Sequence, residues 1–490
     1  MSILTGRTKP TTGSLHVNGQ LRDLVAYVPQ DDTLLADVTV RENVRFSAHV
    51  WIGNLCGSQD IVRHVDSLIL VLDLEKVQNS LVGDVSKRVL SGDERKRVNI
   101  ALELVTAPKV LALNEPTLGL DATTALDLMK LLEKLARKEM SIICALHQPR
   151  AEIFALIDDS LLLQAGKQIY LGQAKQALRH LEGSGTDSLQ KINPADAIMD
   201  ALVRSQHRYN PLLWGFKGIQ DSSTTKEAIA AREETIESVE ALLVSIRQRR
   251  TSWYQQVMLV FMREITQQSR QTGSLCLEII SGAIIGMVIG LSYYVFRGHL
   301  FQGLFQSVAF RGSLIRACSA GPASVRAFGL EKLVFYREAH AGHSQSTDFV
   351  GKFLSTVPRI FLSATHYTTF FMVLTMPVVP IGLQMALNFL YFYCIHGLGC
   401  IVAAVTQPRD GPLMALLFST IISAVSGCGP RLTSVKTWNL QWFWYIWPAV
   451  WYSEANFNDK TEPFAHIYNV QAGADTMEYT IGRTNSDIGP

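Results

Sequence analysis

The sequence predicts two unequal parts: an α/β domain built on a mostly parallel sheet, followed by an all-α domain that crosses a membrane several times. Three observations carry this. Only 18% of the 490 residues are charged, against about 25% in an ordinary soluble protein. The charges crowd before Arg270, and the long apolar runs begin after Gly273. Between Gly13 and Leu171, short β-branched runs alternate with helical patterns, the mark of strands covered by helices on both faces. The expected boundaries are residues 1–180 for the α/β domain, 181–250 for a linker and 251–490 for the membrane domain.

Composition narrows the classes further. A formal net charge of +2 and a mean hydropathy of +0.14 argue against a disordered, collagen-like or strongly nucleic-acid-binding chain. Seven scattered cysteines without a CxxC indicate neither a zinc site nor a disulfide framework. The start, MSILTGRTKP, lacks the apolar core and cleavage site of a secretory signal. Membrane insertion is therefore expected from the internal segments.

In the first part, strands are expected in SLHVNG, VAYVPQ, KVLALNE, SIICALH and LLLQAGKQIYLG, with a helix from Ile61 to Leu74. Sheets of this kind carry their chemistry at the carboxyl ends of the strands. One strand delivers Asn114 and Glu115 to its end, followed by a Pro and a Gly-Leu-Asp turn. That suits a nucleotide-triphosphatase, in which Glu115 polarises an attacking water and its neighbour helps hold Mg²⁺. Taken alone, the same triplet reads more readily as a helix-capping acid. Its surroundings favour the chemical reading. Ahead of it, Ser91 and Gly92 open a helix whose free N–H groups suit phosphate oxygens. Further on, His147 ends another strand, and before all of these Gln30 ends VAYVPQ.

In the second part, 274–296 contains one ionisable residue, Glu278, and is long enough to cross about 30 Å of hydrocarbon. Further spans are expected at 353–379, 383–406 and 413–429. The stretch 304–320 reads as a damaged or shielded span, because Arg311 and Arg316 lie inside it. Basic residues before the first span (Arg247, Arg249, Arg250, Arg263, Arg270) and before the third (Lys332, Arg337, Lys352) place both flanks in the cytoplasm. Trp253 to Ser269 reads equally as a helix on the inner membrane surface or as an amphipathic helix packed on the soluble domain.

The four motifs, in this order, resemble those of the ATP-binding cassette family: signature (LSGDE), Walker B (LALNEP), switch histidine (His147) and Q-loop (Gln30), with Asp121 as the D-loop acid. VPQDD, VTVRENVRFSA, HQPR, INPADAIMDAL and FYREAHAG resemble phrases of its G subfamily, the half-transporters whose cassette precedes the membrane domain. The resemblance implies a homo- or heterodimer with another G-type half-transporter, ATP and Mg²⁺ as cofactors, and export of a lipid-like or other hydrophobic small molecule. It also implies roles: Glu115 as hydrolytic base, His147 as γ-phosphate sensor, Gln30 and Asn114 at Mg²⁺, and Ser91, Gly92, Asp93 and Asp121 at nucleotide. The segment LEKLVFYREAHAG would couple cassette to membrane. A soluble cassette acting on nucleic acid is set aside by the spans.

The sequence departs from the family in four places. No G-x-x-x-x-G-K-[ST] phosphate cradle occurs, and MSILTGR resembles the helix that follows one. The usual Walker B Asp is Asn114, which drops a charge, and the usual second signature Gly is Asp93, whose carboxylate is expected to face the partner's γ-phosphate. A sixth span is not found after Trp451. Truncation at both ends through an incomplete gene model is the expectation drawn from this, and a catalytically silent or degraded partner subunit is the alternative.

Overall fold

The computed structural model describes residues 25–54, 56–83, 89–138, 140–164, 167–177, 193–205, 250–295, 325, 331–341, 343–375, 380–407, 410–424, 432–452 and 455. The expected strand SLHVNG, the 304–320 span and, except for 193–205 and residue 250, the 181–250 linker lie outside these residues. The chain divides into two compact units. One is Met1–Gln256 with Arg337–Ser344, and the other is Val257–Tyr336 with Gln345–Pro490.

The first unit is built on a three-stranded parallel sheet in the order β1 (Val25–Val28), β2 (Val110–Asn114), β3 (Ser141–Ala145). The middle strand, VLALN, is buried along its centre, as a parallel strand covered on both faces must be. Around it pack α1 (Val40–Ile52), α2 (Ser58–Val71), α3 (Gly92–Leu104) and α4 (Ala122–Ala136). Val28, Leu111, Leu113, Ile100, Leu104 and Leu128 lie in their shared core. Three of these four helix starts are capped by local side chains. Thr39 caps α1 through a reciprocal bond with Glu42, Ser91 caps α3 with Glu94, and Asp121 caps α4. LLLQAGKQIYLG does not join this sheet. Its runs form β4 (Asp159–Gln164) and β5 (Lys167–Gln173), paired antiparallel with each other. They follow the short α5 (Ala151–Phe154) and precede α6 (Pro194–Ser205).

The second unit is helical. It contains most of α7 (Trp253–Arg270), then α8 (Thr272–Val295), α10 (Gln345–Thr375), α11 (Ile381–Val405) and α12 (Gly411–Ala424). Helix α9 (Lys332–Ala341) runs from this unit into the first, and α13 (Leu432–Thr437) and α14 (Gln441–Trp444) follow α12. Its outer faces are apolar, and its interior holds polar groups beside an apolar cluster that includes Tyr367, Phe371, Tyr391 and Ile395. On α8, Leu277, Ile280, Ile284, Val288 and Leu291 form an exposed stripe at helical spacing, and Leu413, Leu417 and Ile421 do so on α12. Inside lie Gln384, Asn388, Thr368, Ser419 and Ser423. Asn388 donates to Thr368 Oγ1 at 2.7 Å and accepts from Gln384 at 3.2 Å and from Tyr452 at 2.9 Å. Polar groups bonded to one another within and apolar side chains without are what a lipid solvent requires.

By length and composition, α11 alone among the described residues qualifies as a single span, at a hydropathy of 1.6. Helices α7 and α8 qualify together, across a bend of 73°. Tyr254, Met258 and Met262 are exposed on α7 at i, i+4 spacing while Arg263, Glu264 and Gln267 are buried. This pattern favours the membrane-surface reading of α7. The ionisable residue of α8 is neutralised in place, because Glu278 accepts from Arg359 Nε at 2.6 Å and from Ser363 Oγ at 3.1 Å, both on α10.

Helices α8 and α10 meet along Gly282, Gly286 and Gly290. A Cβ on Gly286 would stand 2.8 Å from the Tyr367 carbonyl oxygen, and one on Gly290 would stand 2.7 Å from Leu374 Cβ. Small residues every fourth position let the two backbones approach, a packing device of lipid-embedded helices. Gly286→Leu should lower the thermal unfolding midpoint of the purified protein, at a cost of about 1–3 kcal/mol, whereas Leu277→Ala on the exposed stripe should leave it nearly unchanged.

Candidate functional site

The parallel register sets Asn114 of β2 opposite Ala145 of β3, so that Glu115 and His147 leave the same edge of the sheet. Glu115 extends the ladder one step, its N–H donating to the Ala145 carbonyl at 3.0 Å. Its backbone is in the left-handed region at φ 48°, and so is that of Gln148 at φ 44°. For non-glycine residues this is a strained conformation that the surroundings must hold. Gln30, two residues past β1, donates from Nε2 to Glu115 Oε2 at 2.9 Å. Gln30 and His147 are both exposed, and Glu115 is half-buried.

The loop that carries Gln30 is held by groups the sequence reading did not assign. Lys96 of α3, only 2% exposed, donates to the Gln30 carbonyl at 2.8 Å and lies 3.0 Å from Asp32 Oδ1. Asn99, one turn on, donates to the same carboxylate oxygen at 3.0 Å. Arg337 donates to the Thr33 carbonyl, and its guanidinium also lies 3.5 Å from Asn99 Oδ1. The available signal was a Lys and an Asn at i, i+3 on the helix that Ser91 opens. It had no partner to point to, because Asp32 lies far away in the chain.

Ser91, Gly92, Asp93 and Asp121 gather elsewhere, on a cavity of about 310 Å³ that is also lined by Asp73, Lys76, Arg97, Gly119 and Thr124. Ser91 Oγ accepts from the Glu94 N–H at 3.2 Å, and Glu94 accepts from the Ser91 N–H at 2.8 Å. Gly119, at φ 77°, makes the turn that lays Leu120 beside Gly92. Asp121 accepts from the Thr123 and Thr124 N–H groups and from Thr124 Oγ1 at 2.5 Å, and those bonds hold its carboxyl below the usual range.

Asp93 differs from the sequence expectation. Its Oδ2 pairs with Arg97 of the same helix, 2.9 Å away, while Oδ1 is buried without a hydrogen-bond partner among the described residues. Arg97 is in turn held by the Leu72 carbonyl and Asp73, each at 3.3 Å. Burial raises the Asp93 carboxyl above its ordinary value, and Arg97 opposes that rise.

Gln30 Oε1 and Asn114 Oδ1 are neutral hard-oxygen donors, the type Mg²⁺ accepts when phosphates supply the charge. The start of α3 presents free N–H groups of the type that binds phosphate. The donor set therefore suits ATP with Mg²⁺.

A parallel-sheet domain with these strand ends, followed in the chain by helices with apolar outer faces, has the two-part layout of the cassette class. The family models agree: residues 1–118 match "ABC transporter" and residues 255–456 match "ABC-2 type transporter". The chain is 46% identical to the ABC-type transporter claG of Penicillium crustosum, over 97% of this chain and 65% of that one. It is 28% identical to ABC transporter G family member 13 of Arabidopsis thaliana, over 74% and 60%. It is 27% identical to the broad substrate specificity ATP-binding cassette transporter ABCG2 of Rattus norvegicus, over 91% and 74%. The chain belongs to the ABC transporters, in their G subfamily. It spans slightly less than two thirds of the length of the first two of these relatives.

Lys96→Met should destabilise the cassette by about 2 kcal/mol, since it leaves the half-buried Asp32 without its cation. The loss would be read as a lower thermal midpoint, and Lys96→Arg should recover part of it.

Proposed function

We propose that the chain is one half of a dimeric, ATP-driven exporter of hydrophobic small molecules, with its cassette in the cytoplasm. The Gln30–Glu115 hydrogen bond, made where neighbouring parallel strands end, is the observation that supports this most. It ties a hydrolytic carboxylate to the loop that Arg337, from the expected coupling segment, also touches.

Bound ATP and Mg²⁺ supply the transferable phosphoryl group and much of the charge compensation. The chain's residues do the rest. Gln30 and Asn114 offer oxygens to the metal. Glu115 orients the attacking water and takes its proton, and His147 donates to the γ-phosphate. Ser91, Gly92 and the first turn of α3 face the nucleotide held by the other half, with Asp121 at the junction. Pairing with Arg97 reduces the repulsion between Asp93 and that nucleotide. Closure of the two cassettes would then move the coupling segments and reorient the membrane cavity. The cargo class is proposed from the resemblance to the G subfamily.

A second reading is a catalytically silent partner. Asn114, which drops the charge of the usual carboxylate, favours it.

One experiment separates the two readings: ATP hydrolysis by the purified protein in lipid nanodiscs, alone and mixed with an intact G-type half-transporter. For the exporter, Glu115→Gln should lower hydrolysis by at least about 100-fold while nucleotide binding persists. For the silent partner, native and variant chains should be equally inactive alone, and hydrolysis should appear only in the mixture.

A further inference from the structure

Five charged side chains buried in the helical unit carry unequal charge. Arg263 and Glu264 come from α7, Glu331 from the residue before α9, and Asp348 and Lys352 from the first turns of α10; the most exposed of the five side chains, Glu331, is only 19% accessible. Among the described residues the cluster holds three carboxylates and two cations. Both cations are already engaged. Lys352 Nζ lies 2.9 Å from Glu331 Oε2 and 3.6 Å from Asp348 Oδ2, and Arg263 donates to Asp348 Oδ1 at 3.2 Å.

Glu264 is left over. Its Oε1 stands 3.8 Å from Arg263 and 4.0 Å from Lys352, too far for a hydrogen bond, and has no hydrogen-bond partner among the described residues. The neighbouring amide does not serve it, because Gln267 Nε2 donates to Glu331 Oε1 at 2.7 Å. Nor does the backbone leave slack. A Cβ on Gly351 would stand 2.7 Å from Val260 Cβ, so α7 and α10 are in close contact beside the cluster. A buried carboxylate without a hydrogen bond is strongly disfavoured, and the simplest relief is to take up a proton.

We propose that Glu264 is a proton-binding site, occupied near neutral pH, and that release of its proton leaves a net negative charge at the joint between α7 and α10. Burial first, and then the Glu331 charge, push its carboxyl up to about 8, while Lys352 and Arg263 oppose the rise and Asp348 adds to it. The folded chain therefore holds this proton more tightly than the unfolded chain does. The resulting stabilisation is complete below the ordinary carboxylate range and is lost as pH rises through about 8. Because α7 leads into α8 and α10 carries its glycine-stripe partner, the protonation state would act on the base of the helical unit.

The test is infrared difference spectroscopy on the purified full chain in nanodiscs, paired with thermal unfolding, at about pH 6 and about pH 9. A protonated carboxylic C=O band should be present at the lower pH and absent at the higher. It should be missing at both in Glu264→Gln, whose unfolding midpoint should gain on the native chain as pH rises. Glu331→Gln balances two acids against two cations, so it should also remove the band by letting Glu264 ionise. Persistence of the band in Glu264→Gln, or a midpoint difference that does not change with pH, would overturn the proposal. So would a pH step that tracks Na⁺ or K⁺ concentration, since a monovalent cation would then be answering the surplus charge.

Discussion

Parallel pairing of β1, β2 and β3 is the constraint on which the cassette chemistry depends. Because all three strands run the same way, their carboxyl ends share one edge, and residues scattered over more than a hundred positions, Gln30, Glu115 and His147, emerge there. An antiparallel strand in the middle would carry Glu115 to the opposite edge, away from Gln30. The buried VLALN run is what makes the middle strand parallel and central, since its apolar side chains need cover on both faces. The left-handed backbone at Glu115 follows from that placement. The chain must leave the sheet at the residue before Pro116, and the bond to the Ala145 carbonyl holds it there while it turns.

In the helical unit the solvent is the corresponding constraint. Burying apolar area gains little when the surroundings are themselves apolar, so cohesion has to come from close backbone contact and from polar groups satisfied internally. The Gly282, Gly286, Gly290 stripe supplies the first, and the Asn388 network with the Glu278–Arg359 pair supplies the second. The same logic makes an unsatisfied group conspicuous. Glu278 finds two donors, whereas Glu264 finds none, and that contrast separates a structural ion pair from a group able to exchange a proton.

Much of this was legible in the sequence wherever the signal is local. Strand ends, N-caps and apolar runs are written in neighbouring residues, and the strand-end positions of Gln30, Glu115 and His147 and the cap at Ser91 are legible that way. The glycine stripe is equally local and was passed over, because attention to the length of the 274–296 run hid the period of four inside it. What could not be read are pairings between distant segments. Lys96 with Asp32, Arg337 with Thr33 and Lys352 with Glu331 each join parts of the chain that only folding brings together. LLLQAGKQIYLG shows the limit from the other side. Its strand character was plain, but which strand it would pair with was not.

Asp93 shows how a local departure is decided by tertiary context. In the sequence it places a carboxylate where the signature expects glycine, and a like charge near a phosphate argues against nucleotide sandwiching. In the fold, its neighbour one helical turn on, Arg97, takes that carboxylate at 2.9 Å and is itself anchored by Leu72 and Asp73. A cation held from two sides cannot easily swing away, so the departure comes with its own compensation. Asn114 shows no such pairing among the described residues: it gives up the charge of the usual Asp, and its neighbour Glu115 is engaged by Gln30. Under the proposed function, it is therefore the loss at Asn114, rather than the extra charge at Asp93, that is expected to bear on whether the chain hydrolyses ATP for itself.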